Sequence, residues 1–465
     1  MSSIASDDSF DGAHSQQSSS VHSQTSTLQY GHESFNTFRT KVESLCRTLW
    51  TDPTLEFKIE RGPGGSYNRI IVITILKSHS PTASDHFILR IPRFDGARID
   101  REIATLRFVR WYSGLPVPDV LASDSTTENV LQLPYVIQDR LQGVSLQKIF
   151  PNLSHQQKMW VARSIGTVLN ELFNLISPVS GIIESPDPVK VDQSVMIFGQ
   201  QHDSLFRRAY RGLWKSDLDA FVVRPFDNLV AFVVRPFDIK GPNDEPGAAK
   251  TLATKTKTRF PSEDVLQMLI EQFMRWKADW LDSYPEDGTM GSYYDRFSAT
   301  AKEMQHLGLL ENDSEFSLCH LDLAPRNILV KVTTEDSSSD VSLTGILDWD
   351  SAVFAPRVMS CTPPSWIWAW SDDESEDEAA ANDVPPTTAA QELKSTFEDA
   401  VGRRFLRLCY EPHHRLARKL IRLAIFGMHS NEELKDADDL LAEWEKMSLK
   451  FGTVGIRDNL QQSLS

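Results

Sequence analysis

Apolar residues recur along this chain with two different periods, and the change of period divides it. Phe35, Phe38, Val42, Leu45 and Leu49 stand at helical spacing, which predicts an amphipathic helix over His32–Trp50. The next stretch alternates or runs as strands do. Leu55–Ile59, the β-branched run Arg69–Leu76 and Phe87–Ile91 read as strands. Arg61–Ser66 is the turn between the first two. Ile99–Trp111 reads as a helix with Ile99, Ile103 and Leu106 on one face, while Phe108 and Trp111 fall on other faces, so more than one side should be covered. Strands follow near Val120–Ala122 and Leu131–Gln138. Arg140–Leu146 is polar, contains a glycine and suits a link between two units.

From there helical spacing dominates. Gln156–Leu175, Ser262–Asp282, Gly291–Leu307, Gln391–Leu408, His414–Met428 and Asn431–Leu449 are the expected helices. Residues 180–260 form an irregular insert in which AFVVRPFD occurs twice, at Ala220–Asp227 and Ala231–Asp238. A repeat this short cannot be a solenoid unit and reads as a tandem duplication. The expected organisation is a disordered tail over residues 1–30, an N-terminal strand-rich lobe over 31–140, and a mainly helical second lobe over 141–430. The second lobe carries an acidic loop at 371–384, and a helix and tail close the chain over 431–465. The tail follows from composition, since its Ser, Gln, His and Asp cannot bury enough surface to offset the entropy of ordering. The fold class implied is α+β, with an antiparallel sheet first and mainly helices after it.

The 465 residues are 40% hydrophobic, enough for a large core. A net charge of -16 argues against nucleic acid or anionic membrane as a partner. No apolar stretch is long enough to span a bilayer, and no signal peptide is visible. Cys46, Cys319, Cys361 and Cys409 are scattered without metal-ligand spacing, which points to a reduced, cytoplasmic protein. His413 and His414 have no partner cluster in sequence and read as surface histidines.

The chemistry lies in two short segments. Cys319-His320-Leu321-Asp322-Leu323-Ala324-Pro325-Arg326-Asn327 runs into the strand Ile328-Leu329-Val330, and Gly345-Ile346-Leu347 runs into Asp348-Trp349-Asp350. The pattern is H-x-D-x-x-x-x-N, strand, connection, strand, D-W-D. Phosphoryl transfer to a hydroxyl needs an aspartate to orient the hydroxyl and take its proton, and an Asn and a second Asp to hold Mg²⁺ on the phosphates of ATP. Asp322, Asn327 and Asp348 match those needs, each at a strand end.

HLDLAPRNILV…GILDWD resembles the aminoglycoside phosphotransferase / choline kinase family of kinase-like enzymes. RGPGGSYNR, FILRIPR and EIATLRFVRWYSGLPVPDVLA extend the resemblance. It implies a protein-kinase-like bilobal fold and an ATP- and Mg²⁺-dependent transfer to a small-molecule hydroxyl. Carried over, it makes Asp322 the catalytic base and Asn327 and Asp348 the metal ligands, with His320 holding the catalytic loop. Gly64, Gly65 and Ser66 fall in the nucleotide-covering loop. Arg90 stands where many kinases place a lysine on the third strand, and Glu102 is its ion-pair partner. Arginine there keeps the charge and changes the geometry.

A protein kinase would run almost directly from its long helix into the catalytic loop. Here the helix ends near Ser177, His320 comes about 140 residues later, and no A-P-E follows D-W-D. Those features favour a small-molecule enzyme. Arg90 keeps open a non-catalytic nucleotide-binding module. Trp366, Trp368 and Trp370 are candidates for a pocket floor or for core. The acidic run Asp372, Asp373, Glu374, Glu376, Asp377 and Glu378 suggests a cationic acceptor, bound between Ser262–Leu307 and Pro356–Trp370.

Overall fold

The computed structural model describes residues 33–62, 67–76, 84–93, 99–184, 195–197, 232–235, 264–285, 288–310, 315–335, 338–371 and 378–462. The tail over 1–30, Gly64, Gly65 and Ser66, the first AFVVRPFD copy and the acids from Asp372 to Asp377 lie outside them. Contacts divide the chain into two compact units, Met1–Ile99 with Val120–Arg140, and Asp100–Asp119 with Leu141–Ser465.

The first unit is an antiparallel sheet backed by a helix. Strands β1 (Glu56–Arg61), β2 (Asn68–Leu76) and β3 (Ser84–Pro92) form a meander. The last two, β4 (Val120–Asp124) and β5 (Tyr135–Asp139), close it in the order β1-β2-β3-β5-β4. Helix α1 (Phe35–Leu49) starts at Ser34, whose hydroxyl accepts from the Thr37 amide. It buries Phe38, Val42, Leu45 and Cys46 against Ile59, Ile71, Ile73, Leu89 and Ile137, so its apolar stripe meets the apolar face of the sheet. Each such side chain contributes about 1.5–3 kcal/mol on burial.

The second unit is mainly helical. Helix α2 (Ile99–Tyr112) belongs to it except for its first residue, and the Phe108 ring meets Phe354 edge-on at 5.5 Å. Ile103, Ala104, Leu106, Phe108 and Val109 are all buried, so this helix is covered on more than one side. The remaining helices are α3 (His155–Asn174), α4 (Val265–Ser283), α5 (Gly288–His306), α6 (Thr388–Val401), α7 (Arg403–Tyr410), α8 (Pro412–Phe426) and α9 (Asn431–Gln462). The single helix expected over Gln391–Leu408 is two, because Gly402 at φ 80° turns the chain between α6 and α7. His414 is buried at 6% exposure, against the surface reading. Its ring nitrogen bonds the Arg407 carbonyl at 3.2 Å.

Two small antiparallel sheets sit among the helices. Strand β6 (Phe316–Cys319) pairs with β9 (Val353–Pro356) and with Ile176–Ser177. Strands β7 (Ile328–Glu335) and β8 (Ser338–Ile346) form a hairpin, with Val144–Ser145 along its outer edge. In the insert, Phe232–Arg235 of the second repeat copy pairs between Ile182–Glu184 and Val195–Ile197, so that part is not irregular.

Candidate active site

The site is built where β6 ends and the β7–β8 hairpin begins and closes. In the hairpin register Ile328 faces Ile346, and the Leu347 amide donates to the Asn327 carbonyl at 2.8 Å. Asn327 therefore lies opposite Leu347, one residue from Asp348, although about twenty residues of chain separate them. His320 ties the same ends together. The Asp322 amide donates to its Nδ1 at 3.3 Å, which leaves Nε2–H to donate to the Leu347 carbonyl at 2.9 Å. The ring lies 4.5 Å from that of Trp349, which is fully buried. Burial pushes the His320 pKa down, so the neutral imidazole suits both hydrogen bonds.

Two backbone positions are strained. Leu321 at φ 63° and Asp348 at φ 68° adopt the left-handed region that side chains with a Cβ avoid. They flank the two carboxylates, Leu321 just before Asp322 and Asp348 itself, where local strain re-aims a side chain out of a regular strand.

Asp322 is held on both oxygens. Asn327 Nδ2 donates to its Oδ2 at 2.8 Å and to its carbonyl at 2.9 Å. Arg326 Nη2 meets Oδ1 at 2.5 Å. Both Asn327 amide hydrogens face Asp322, which turns the Asn327 Oδ1 outward as an acceptor. The donor set of Asn327 Oδ1 and the Asp348 carboxylate is oxygen only, which fits a hard cation such as Mg²⁺.

Beside Asp322 lies a cavity of about 460 Å³, within the range of small-molecule sites. Leu169 and Leu172 of α3 and Met359 form apolar walls. Trp366 and Trp370 also line it, and they pack with Phe150 at 5.5 Å and 4.8 Å. Trp368 does not line it; its ring packs against Phe397 at 5.7 Å. Arg418, Lys419 and Arg422 of α8 line the cavity too, with Glu378 paired to Arg418 at 2.8 Å. Among the described residues, none of the Ser262–Leu307 helices lines this cavity. The segment Met359–Ser371 and the helices α3 and α8 line it together with the catalytic-loop stretch. The α8 cations were missed. Their signal was the spacing of Arg415, Arg418, Lys419 and Arg422 within one helix.

Arg90 sits on β3, the middle strand of the five, and is buried at 9% exposure, so it is not an ordinary surface arginine. Glu102 is in the first turn of α2, buried at 5%. The two belong to different units. All four cysteines are buried free thiols. Among the described residues, no helix is long and apolar enough to cross a membrane.

A family model described as a phosphotransferase enzyme family (APH) matches residues 59–220 and 246–383, more than half of the chain. A subtelomeric hrmA-associated cluster protein of Aspergillus fumigatus is 30% identical over 80 residues, which are 17% of this chain and 16% of that protein. This chain thus matches well under two thirds of that relative's length. Among solved structures, a thermostable mutant of aminoglycoside phosphotransferase APH(4)-Ia in a ternary complex with AMP-PNP and hygromycin B is 14% identical, with a TM-score of 0.41 over 88% of this chain and 98% of that one. The GDP and kanamycin complex of APH(2")-IIia is 14% identical, with a TM-score of 0.36 over 89% and 98%.

Proposed function

Because this chain belongs to the phosphotransferase enzyme family, we propose that it transfers the γ-phosphoryl group of ATP to a hydroxyl of a small molecule. The antiparallel sheet of the first unit and the helices of the second fit the α+β, kinase-like class of that reading. The observation that carries the proposal is the position of Asp322. It borders the cavity on one side and is anchored on the other by Asn327, at the hairpin end that leads into Asp348.

Each residue has a distinct part. Asp322 is 32% exposed on its side chain and keeps lone pairs free beyond those used by Arg326 and Asn327. It can accept a hydrogen bond from an acceptor hydroxyl in the cavity, aim that oxygen and take its proton. The new O–P bond forms as the bond to the β-phosphate's bridging oxygen breaks, and ADP is the leaving group. Asn327 Oδ1 and Asp348 would hold Mg²⁺, which when bound neutralises charge on the phosphates. Arg90 and Glu102, together with Gly64, Gly65 and Ser66, are assigned to nucleotide binding by family resemblance.

The test is metal-dependent ADP formation with an acceptor panel, comparing the parent chain with Asp322→Asn. The variant should keep nucleotide binding and lose turnover by roughly 10²-fold or more. Unchanged turnover removes Asp322 from the role. Nucleotide binding without ADP formation from any acceptor would instead support a non-catalytic module.

A further inference from the structure

The wall of the Asp322 cavity carries charge that the phosphotransfer reading does not use. Its ionisable lining comprises the acids Asp322 and Glu378, the bases Arg326, Arg418, Lys419 and Arg422, and His320, which the catalytic loop already engages. Both acids are engaged, Asp322 with Arg326 at 2.5 Å and Glu378 with Arg418 at 2.8 Å. Arg418 is fixed further by the Leu408 and Cys409 carbonyls, at 2.7 Å and 2.9 Å, and is buried at 3% exposure. That leaves Lys419 and Arg422. They are three residues apart on α8, hence neighbours on one face of the helix. Lys419 is half-buried and Arg422 exposed, and neither has a carboxylate partner among the described residues. Arg422 lies over the Phe426 ring, 5.5 Å from its centroid, an arrangement that orients the guanidinium without neutralising it.

We propose that Lys419 and Arg422 hold an anionic group, a carboxylate or a phosphate, on the acceptor whose hydroxyl meets Asp322. This rests on the phosphotransfer reading and names the substrate class for it. Two cations without a carboxylate partner among the described residues, in a partly enclosed cavity, raise the local concentration of anions and repel amines. A guanidinium beside an ammonium offers a fork and a point charge, the usual recognition set for oxyanions. The cavity is lined as well by apolar Leu172, Leu318, Met359, Trp366 and Trp370 and by polar Ser360, Thr362 and Ser365. The acceptor is therefore a small hydroxy compound with an acidic end. The cationic acceptor expected from the acidic run does not fit this wall. Glu378, the described member of that run, already pairs with Arg418.

The experiment uses the full chain with Mg-ATP and four pools of small hydroxyl compounds matched in size: hydroxy carboxylates, phosphorylated alcohols, neutral alcohols and amino alcohols. ADP formation and the melting temperature are read for the parent, Lys419→Gln/Arg422→Gln and Lys419→Glu/Arg422→Glu chains. The active acceptor should come from one of the first two pools, and which pool it is separates carboxylate from phosphate. The Gln pair should lose roughly ten- to a hundredfold in acceptor kcat/KM, with the KM for ATP unchanged, as expected for lost charged hydrogen bonds. The Glu pair should shift preference towards amino alcohols. A best acceptor from the neutral or amino pool, or an unaltered Gln pair, overturns the proposal. If no pool yields ADP but acids raise the melting temperature of the parent and not of the Gln pair, the anion site stands and the phosphotransfer reading fails. If no acid raises it and none is phosphorylated, the anion site is refuted.

Discussion

Arg326 stands next to Asn327 and grips the same carboxylate, yet the motif does not require it. The pair is open to solvent, at 40% and 32% side-chain exposure, so its contribution to stability is at most about 1 kcal/mol. Its weight falls on orientation, because it fixes Oδ1 while Asn327 fixes Oδ2. Arg326→Gln should leave the unfolding midpoint almost unmoved while kcat falls by roughly tenfold, a cost typical of a loosened catalytic group. Urea denaturation and ADP-release kinetics on the same preparation check both halves. His414 poses the opposite case. Burial first, and the nearby positive groups after it, push its pKa down to about 4. The unfolded chain, at the ordinary value of 6.5, therefore binds more protons than the folded one between these two values. Its contribution is fully present above pH 6.5 and lost as pH falls towards 4. At 1.36 kcal/mol per unit, His414 should account for stability on the order of 2–3 kcal/mol over that window. Urea midpoints at pH 7 and 4.5 should differ less in His414→Gln than in the parent chain.

At the scale of elements, the wall of the cavity depends on how closely helices pack. Gly166 lies where α3 meets α6. A Cβ there would come within 2.6 Å of the Ala400 Cβ and 3.0 Å of the Phe397 carbonyl oxygen. Both neighbours belong to the last turns of α6, which is packed along α3. Gly166→Val should therefore cost about 1–3 kcal/mol by overpacking. Because Leu169 and Leu172 of α3 line the cavity, acceptor KM should rise as well. A lower melting temperature with unchanged acceptor KM would show that α3 can move without disturbing the cavity. Periodicity found most of these helices within a few residues, since each buries a stripe of its own sequence. It ran α6 into α7 because one glycine at positive φ interrupts a pattern that is apolar on both sides.

For the whole molecule, ligand binding and stability are linked. A nucleotide that binds only the folded chain should stabilise it by about 2.7 kcal/mol at a hundred times its Kd. Mg-ATP should raise the melting temperature of the parent chain, and Asp348→Ala should remove most of that rise while retaining the smaller effect of metal-free ATP. Equal loss of both would point to misfolding at the strained Asp348 backbone and not to a missing ligand.

What the amino-acid order determined by itself is local. Strand runs, helical stripes and the H-x-D-x-x-x-x-N…D-W-D spacing are set by neighbours within a dozen residues. Asp322, Asn327 and Asp348 were legible because a hairpin needs no distant contact to bring its two ends together. The surroundings of those residues were decided only by tertiary structure. The burial of Arg90 and His414 depends on what packs over them. The cavity draws its walls from α3, the Met359–Ser371 segment and α8, far apart in the chain. Among the described residues its charge is a remainder, left after Asp322 pairs with Arg326 and Glu378 with Arg418. A net charge of -16 over the whole chain says nothing about such a remainder. Screening confines each charge to its near neighbours, so the electrostatics of a site are set by the side chains that folding places around it.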